Sequence, residues 1–108
     1  MLSDYQSCIE ACYACATACD HCSSSCLQES NVQHMAKCIE HDAQCAAICR
    51  LAAEFMARGS SFAPQICKLC AEICETCAKE CGQHKMDHCQ HCAQACKKCA
   101  KMCRAMAA

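Results

Sequence analysis

Six cysteines between Cys8 and Cys26 are spaced C-x3-C-x2-C-x3-C-x2-C-x3-C. A thiolate is both a nucleophile and a soft metal ligand, so such a run offers redox exchange, cross-linking or metal ligation. Cys8, Cys12, Cys15, Cys19, Cys22 and Cys26 alternate steps of four and three. That alternation averages about 3.5 residues, the period that holds every member on one seam of an α-helix. Leucine or isoleucine normally fills such a seam, where a helix bundle buries its core. Here the seam is sulfur.

The same register returns three times. Cys38, Cys45 and Cys49 form a thinner column, Cys67, Cys70, Cys74, Cys77 and Cys81 a fuller one, and Cys89, Cys92, Cys96, Cys99 and Cys103 another. His41 stands three residues after Cys38 and four before Cys45. It is therefore expected to fill the vacant seam place and to act as a ligand alongside the thiols.

Four helices must carry these columns, over about 4–29, 32–57, 64–81 and 86–104. Ser3 or Asp4 suits the first N-cap and Ser30 or Asn31 the second. Arg58-Gly59 is a natural stop, with glycine free to take the left-handed conformation. Pro64 sits where a first-turn proline belongs, and Gly82 closes the third helix. Short links between four such helices predict an all-α, antiparallel up-down-up-down bundle with a cysteine-lined core, a single domain over 1–108. Ile66, Leu69 and Ile73, with Ile48, Leu51 and Phe55, make stripes beside the seams, suited to lateral packing or to self-association. Lys97, Lys98, Lys101 and Arg104 read as a solvated face that complements the dipole of the last helix.

Composition narrows the function. The net charge of −1 and the absence of a basic stripe argue against a nucleic-acid partner. No apolar run approaches the roughly 18 residues of a membrane span. Leu, Ile, Val and Phe together number only twelve, against 19 Cys and 20 Ala, so the cysteines themselves must supply the core. The opening Met1–Gln6 carries neither a cationic segment nor an apolar stretch, which predicts a cytosolic chain. In a reducing cytosol a disulfide scaffold is disfavoured, and adjacent turns of one helix do not aim Cβ vectors at each other suitably for one. A thiol oxidoreductase needs one activated, accessible pair, whereas many equivalent buried thiols provide no unique nucleophile. With no Ser/His/Asp or paired-carboxylate arrangement either, the chain is expected not to be an enzyme. The ferredoxin run C-x2-C-x2-C-x3-C-P is missing, which disfavours iron–sulfur clusters.

Metal ligation remains, and charge separates the candidates. A closed zinc site of four thiolates carries net −2, so four or five of them would bury roughly −8 to −10. Each buried, unpaired charge costs several kcal/mol, and the seams hold no Lys or Arg to offset it. Copper(I) is soft and monovalent and accepts two or three thiolates. With bridging thiolates the ions and sulfurs are about equal in number, on the order of fifteen to twenty Cu(I) per chain in a nearly neutral core. Zinc, or a general soft-metal sink resembling metallothionein, is the alternative.

Antiparallel folding sorts the other soft ligands by end. His21, His34, His41, His84, His88 and His91 all fall in the half containing the first and third links, joined by Met35 and Met86. His34, His84 and His88, with Met35 and Met86 as thioethers or core filler, are the expected mouth ligands, handing metal to Cys26, Cys38, Cys81 and Cys89. His21 and His91 lie off the seams. Tyr5, Phe55, Met56, Phe62, Met102 and Met106 gather at the other end as an apolar plug.

From Cys8 to Cys103 the chain resembles the bacterial copper storage proteins, in which inward-facing cysteines line a four-helix bundle. The resemblance implies the cytosolic branch of that family, the seam cysteines as Cu(I) ligands, and a homo-oligomer, a tetramer of bundles. It also implies a role in supplying copper or keeping it harmless. Exchange partners would be a copper chaperone or cytosolic copper-binding thiols.

Overall fold

The computed structural model describes residues 2–107. Helix α1 spans Leu2–Cys26, α2 Ala36–Ala57, α3 Ala63–Gly82 and α4 Asp87–Ala107. Each packs on its two neighbours in chain order, α1 on α2 and α4, and α3 on α2 and α4. The result is an elongated antiparallel four-helix bundle of 46 × 18 × 17 Å. Among the described residues no helix is long and apolar enough to cross a membrane.

Helix ends depart from the expected ones in instructive ways. α1 is already helical at Leu2, upstream of the expected cap. Asp4 therefore sits in the first turn, where its charge suits the dipole; the Ser3 side chain lies outside the described residues. At the other end α1 stops at Cys26 rather than Glu29. There the hydrogen bonds tighten, with Gln28 N–H donating to Ser25 O (3.0 Å) and Glu29 N–H to Cys26 O (3.1 Å). Asn31 makes no side-chain capping bond, and Val32–Met35 forms a 3₁₀ turn ahead of α2 instead of its first α-turn.

The α2–α3 corner follows the glycine expectation. Gly59 takes φ +64°. Its N–H donates to Met56 O (3.0 Å) and that of Ser60 to Phe55 O (3.1 Å), the paired bonds that satisfy the last carbonyls of a helix. Ser60 Oγ then accepts the Phe62 N–H at 3.1 Å, setting the entrance to α3 with Pro64 in its first turn.

The core is sulfur and methyl. Small alanines (Ala16, Ala46, Ala52, Ala53, Ala71, Ala78, Ala93 and Ala100) are buried beside the thiols and let the helices approach closely. Met56 is fully buried towards the far end, and Tyr5, Met102 and Met106 pack partly buried against the core. Phe62, expected in that plug, is 60% exposed, because it precedes α3 at the surface corner. Of the lateral stripes, Ile66 and Ile73 pack against the core, while Leu51 and Leu69 stay exposed. Outside, Arg104 grips Glu75 of α3 with two hydrogen bonds (2.7 and 2.9 Å), and Arg50 pairs with Asp20.

Candidate metal centre

The alternating spacing puts each column on one side of its helix, and the bundle aims four columns at a common axis. All nineteen thiols are free, and none is more than 1% exposed. Sulfur contacts run between helices along the whole axis. Cys8 and Cys12 each lie 3.7 Å from Cys103, Cys49 is 3.5 Å from Cys74, Cys15 is 3.6 Å from Cys96, and Cys38 is 3.3 Å from Cys81.

These sulfurs gather in fours whose Sγ atoms all lie within 4.8 Å of one another. Cys12, Cys70, Cys99 and Cys103 form one such group; Cys15, Cys49, Cys74 and Cys99 form the next. Cys15, Cys19, Cys45 and Cys96 follow, then Cys19, Cys77, Cys92 and Cys96. Successive groups share Cys99, then Cys15, then Cys19 and Cys96, so they make one continuous column. Cys22, Cys26, Cys38 and Cys89 make a further group, at the bundle end where α1 and α3 stop and α2 and α4 begin. Shared sulfurs are the arrangement that bridging thiolates require, and the column is able to coordinate several Cu(I) ions. Burial is the largest influence on Cys26 and Cys89 and raises both thiols, Cys89 to about 11. They remain protonated until a metal displaces the proton.

The vacant seam place on α2 belongs to Asp42, not to His41. Asp42 is fully buried. Its Oδ1 accepts hydrogen bonds from the thiols of Cys77, Cys81 and Cys92, each at 3.3 Å, and Oδ2 accepts one from Cys38 at 3.9 Å. Burial, and next the neighbouring Cys92, push its carboxyl up from 3.8 to about 8. It stands between the terminal group, through Cys38, and the column, through Cys77 and Cys92. His41 lies instead on the lateral surface, lining a shallow depression with Gln44, Leu69 and Thr76, and it belongs to none of the thiol groups above. Arithmetic from Cys38 and Cys45 fits either residue, but the alternation of steps does not. The step of four from Cys45 to Cys49 must follow a step of three, and that places the missing member at 42.

Of the histidines expected at this end, His34 and His84 pair with each other and His88 reaches a thiol of the terminal group. The His34 and His84 rings meet edge to face with centroids 5.7 Å apart, beside a cleft of about 550 Å³ that Lys37 and Glu80 also line. His84 is nearly buried, with Nε2 2.9 Å from Glu80 Oε2. His88 places Nδ1 3.5 Å from Cys89 Sγ. Met35 is fully buried and Met86 packs half-buried on the core. His21 and His91 are exposed and share a lateral depression with Tyr13, as their off-seam positions predict.

Fold and site together define a helix bundle whose interior is a polynuclear soft-metal compartment. The chain belongs to the copper storage protein family, whose sequence model matches residues 1–108. Among solved structures it is similar to apo copper storage protein 3 from Bacillus subtilis, with 52% identity over 96% of this chain and 99% of that one and a TM-score of 0.92. It is likewise similar to the Cu(I)-bound copper storage protein BsCsp3 (53% identity, 96% and 98% covered, TM-score 0.93). A cytosolic copper storage protein from Streptomyces lividans, in a structure with five coppers, is 35% identical over 93% of this chain and 88% of that one, with a TM-score of 0.90. No curated protein matches the chain.

Proposed function

We propose that this chain stores and buffers many Cu(I) ions in the cytosol, on thiolates lining the bundle axis, and catalyses no reaction. The observation that carries the reading is the sharing of Cys15, Cys19, Cys96 and Cys99 between successive four-sulfur groups. A shared thiolate bridges two ions, and only a monovalent ion at about one per sulfur leaves such a column near neutral. Separate tetrahedral zinc sites would each bury net −2 and would need sulfurs of their own. The Bacillus subtilis and Streptomyces lividans relatives, one of them Cu(I)-bound and one described as cytosolic, support both the ion and the compartment.

The nineteen cysteines serve as ligands, and His34, His84 and His88 form the mouth, with Met35 and Met86 as soft neighbours. Metal passes there to Cys26, Cys38, Cys81 and Cys89. Copper arrives from, and leaves to, a chaperone or small cytosolic thiols. The exposed Leu51 and Leu69 suit a homotetramer of bundles, which sedimentation of the full chain at micromolar concentration checks.

Anaerobic Cu(I) titration with elemental analysis and weakly buffered pH recording tests the reading. About one ion bound and one proton released per thiol is expected. Zinc saturating at four or five per chain in competition with Cu(I), or loading without acidification, would overturn it.

A further inference from the structure

Three groups, one from the link after α1 and two from α4, stand in a row at the mouth. Glu29 Oε2 lies 3.1 Å from His88 Nε2, and His88 Nδ1 lies 3.5 Å from Cys89 Sγ. Cys89 in turn is 3.8 Å from Cys22 Sγ and 4.0 Å from Cys26 Sγ within the terminal four-sulfur group. The His88 side chain is only 13% exposed and that of Glu29 32%, so neither is a freely rotating surface group.

Glu29 owes its position to the way α1 ends. Its N–H donates to Cys26 O at 3.1 Å, so the tightened turn that stops the helix at a terminal-group thiol also carries the carboxylate across to α4. A carboxylate can only accept. The proton of a neutral His88 ring must then sit on Nε2, which leaves the Nδ1 lone pair facing Cys89. A ring nitrogen presented to a soft metal is commonly fixed in this way, by a carboxylate on the opposite nitrogen.

We propose that Glu29 is the positioning residue of the mouth. It accepts the Nε2–H of His88 and holds Nδ1 on the Cys22/Cys26/Cys38/Cys89 group, so that His88 supplies nitrogen to the first Cu(I) ions admitted there. This rests on the copper reading above. No bond other than metal–ligand contacts is made or broken, and each thiol proton displaced leaves to solvent.

The test compares the full chain with its Glu29→Ala and Glu29→Gln variants. In the ¹⁵N-labelled apoprotein, long-range proton–nitrogen spectra should show His88 Nδ1 as an unprotonated ring nitrogen and Nε2 as a protonated one. Glu29→Ala should mix the two tautomers and slow withdrawal of the first few Cu(I) equivalents from a Cu(I)–bicinchoninate complex about tenfold. Glu29→Gln, whose amide oxygen still accepts, should restore both, and capacity at saturation should be equal in all three. Unchanged His88 nitrogen signals and unchanged early uptake in Glu29→Ala overturn the assignment. So does a Glu29→Ala/His88→Ala chain that loads more slowly than His88→Ala alone. Failure of the wild-type chain to take up Cu(I) at all would remove the copper reading and this inference together, an outcome told apart by the wild-type capacity itself.

Discussion

Cys92 of α4 donates its thiol hydrogen to Asp42 of α2 over 3.3 Å, joining two helices that stand diagonally across the bundle. Cys77 and Cys81 of α3 donate to the same oxygen. A carboxyl group at the centre of a sulfur column is thus satisfied by thiols, and every partner the structure gives it is one that loading with metal would deprotonate.

That burial makes apoprotein stability depend on pH. The Asp42 carboxyl is raised from 3.8 to about 8 on folding. Below about 4 it is protonated in both states and imposes no penalty. Between those values the folded state holds a proton that the unfolded state has released, so stability falls as pH rises, by up to about 1.4 kcal/mol per unit for this one group. Above about 8 its contribution is flat. Anaerobic urea unfolding of the reduced apoprotein at pH 5 and pH 7.5 should show the fall, and Asp42→Asn should lack it. Parallel pH dependences in the two proteins would refute this assignment.

Replacing the carboxyl with a thiol should complete the α2 column. Asp42→Cys is expected to fold and to bind about one more Cu(I) than the wild type at saturation. Elemental analysis after anaerobic loading measures this; equal capacity would mean that place 42 does not face the column as a ligand.

The lateral position of His41 predicts that His41→Ala loads copper at the wild-type rate and to the wild-type capacity. Joint replacement of His34, His84 and His88 by alanine should slow uptake from a chelator about tenfold or more while leaving capacity intact. Stopped-flow transfer kinetics on the two variants separate a surface histidine from the mouth set. The reverse ranking would remove the mouth.

Gly59 gives a purely conformational test of the α2–α3 corner. It has φ +64°, and nothing lies within 4 Å of where a Cβ would be. Gly59→Ala should therefore cost about 1 kcal/mol through backbone strain alone, read as a lower urea midpoint with an unchanged slope. No loss of stability would mean that the corner does not need the left-handed conformation.

Much of this molecule is legible from Cys8, Cys12 and Cys15 onward, because a step of four followed by three is meaningful only on a helix with one buried side. The α2–α3 boundary is equally plain, since Gly59 and Pro64 each obey a local backbone rule. The helix 1–2 link is harder to read. Asn31 looks like a cap, yet Val32–Met35 winds as a 3₁₀ turn, with Met35 seated fully buried in the core. Asp42 is hard to read as a seam member from its residue type, because an acid is rarely buried unless other groups satisfy it, and Cys77, Cys81 and Cys92, which do so here, are far away in the chain.

The sequence alone determined that four helices form and that each presents a column of sulfur, because helical period and glycine and proline geometry are properties of short stretches. Tertiary structure alone decided which thiols share a cage, that three of them converge on Asp42, and that Glu29 reaches His88. The thiol contacts on Asp42 and the Glu29–His88 contact join residues between 35 and 59 positions apart, and like the cages they depend on the axial register between helices. Links and side-chain packing set that register, and no periodicity within one helix encodes it.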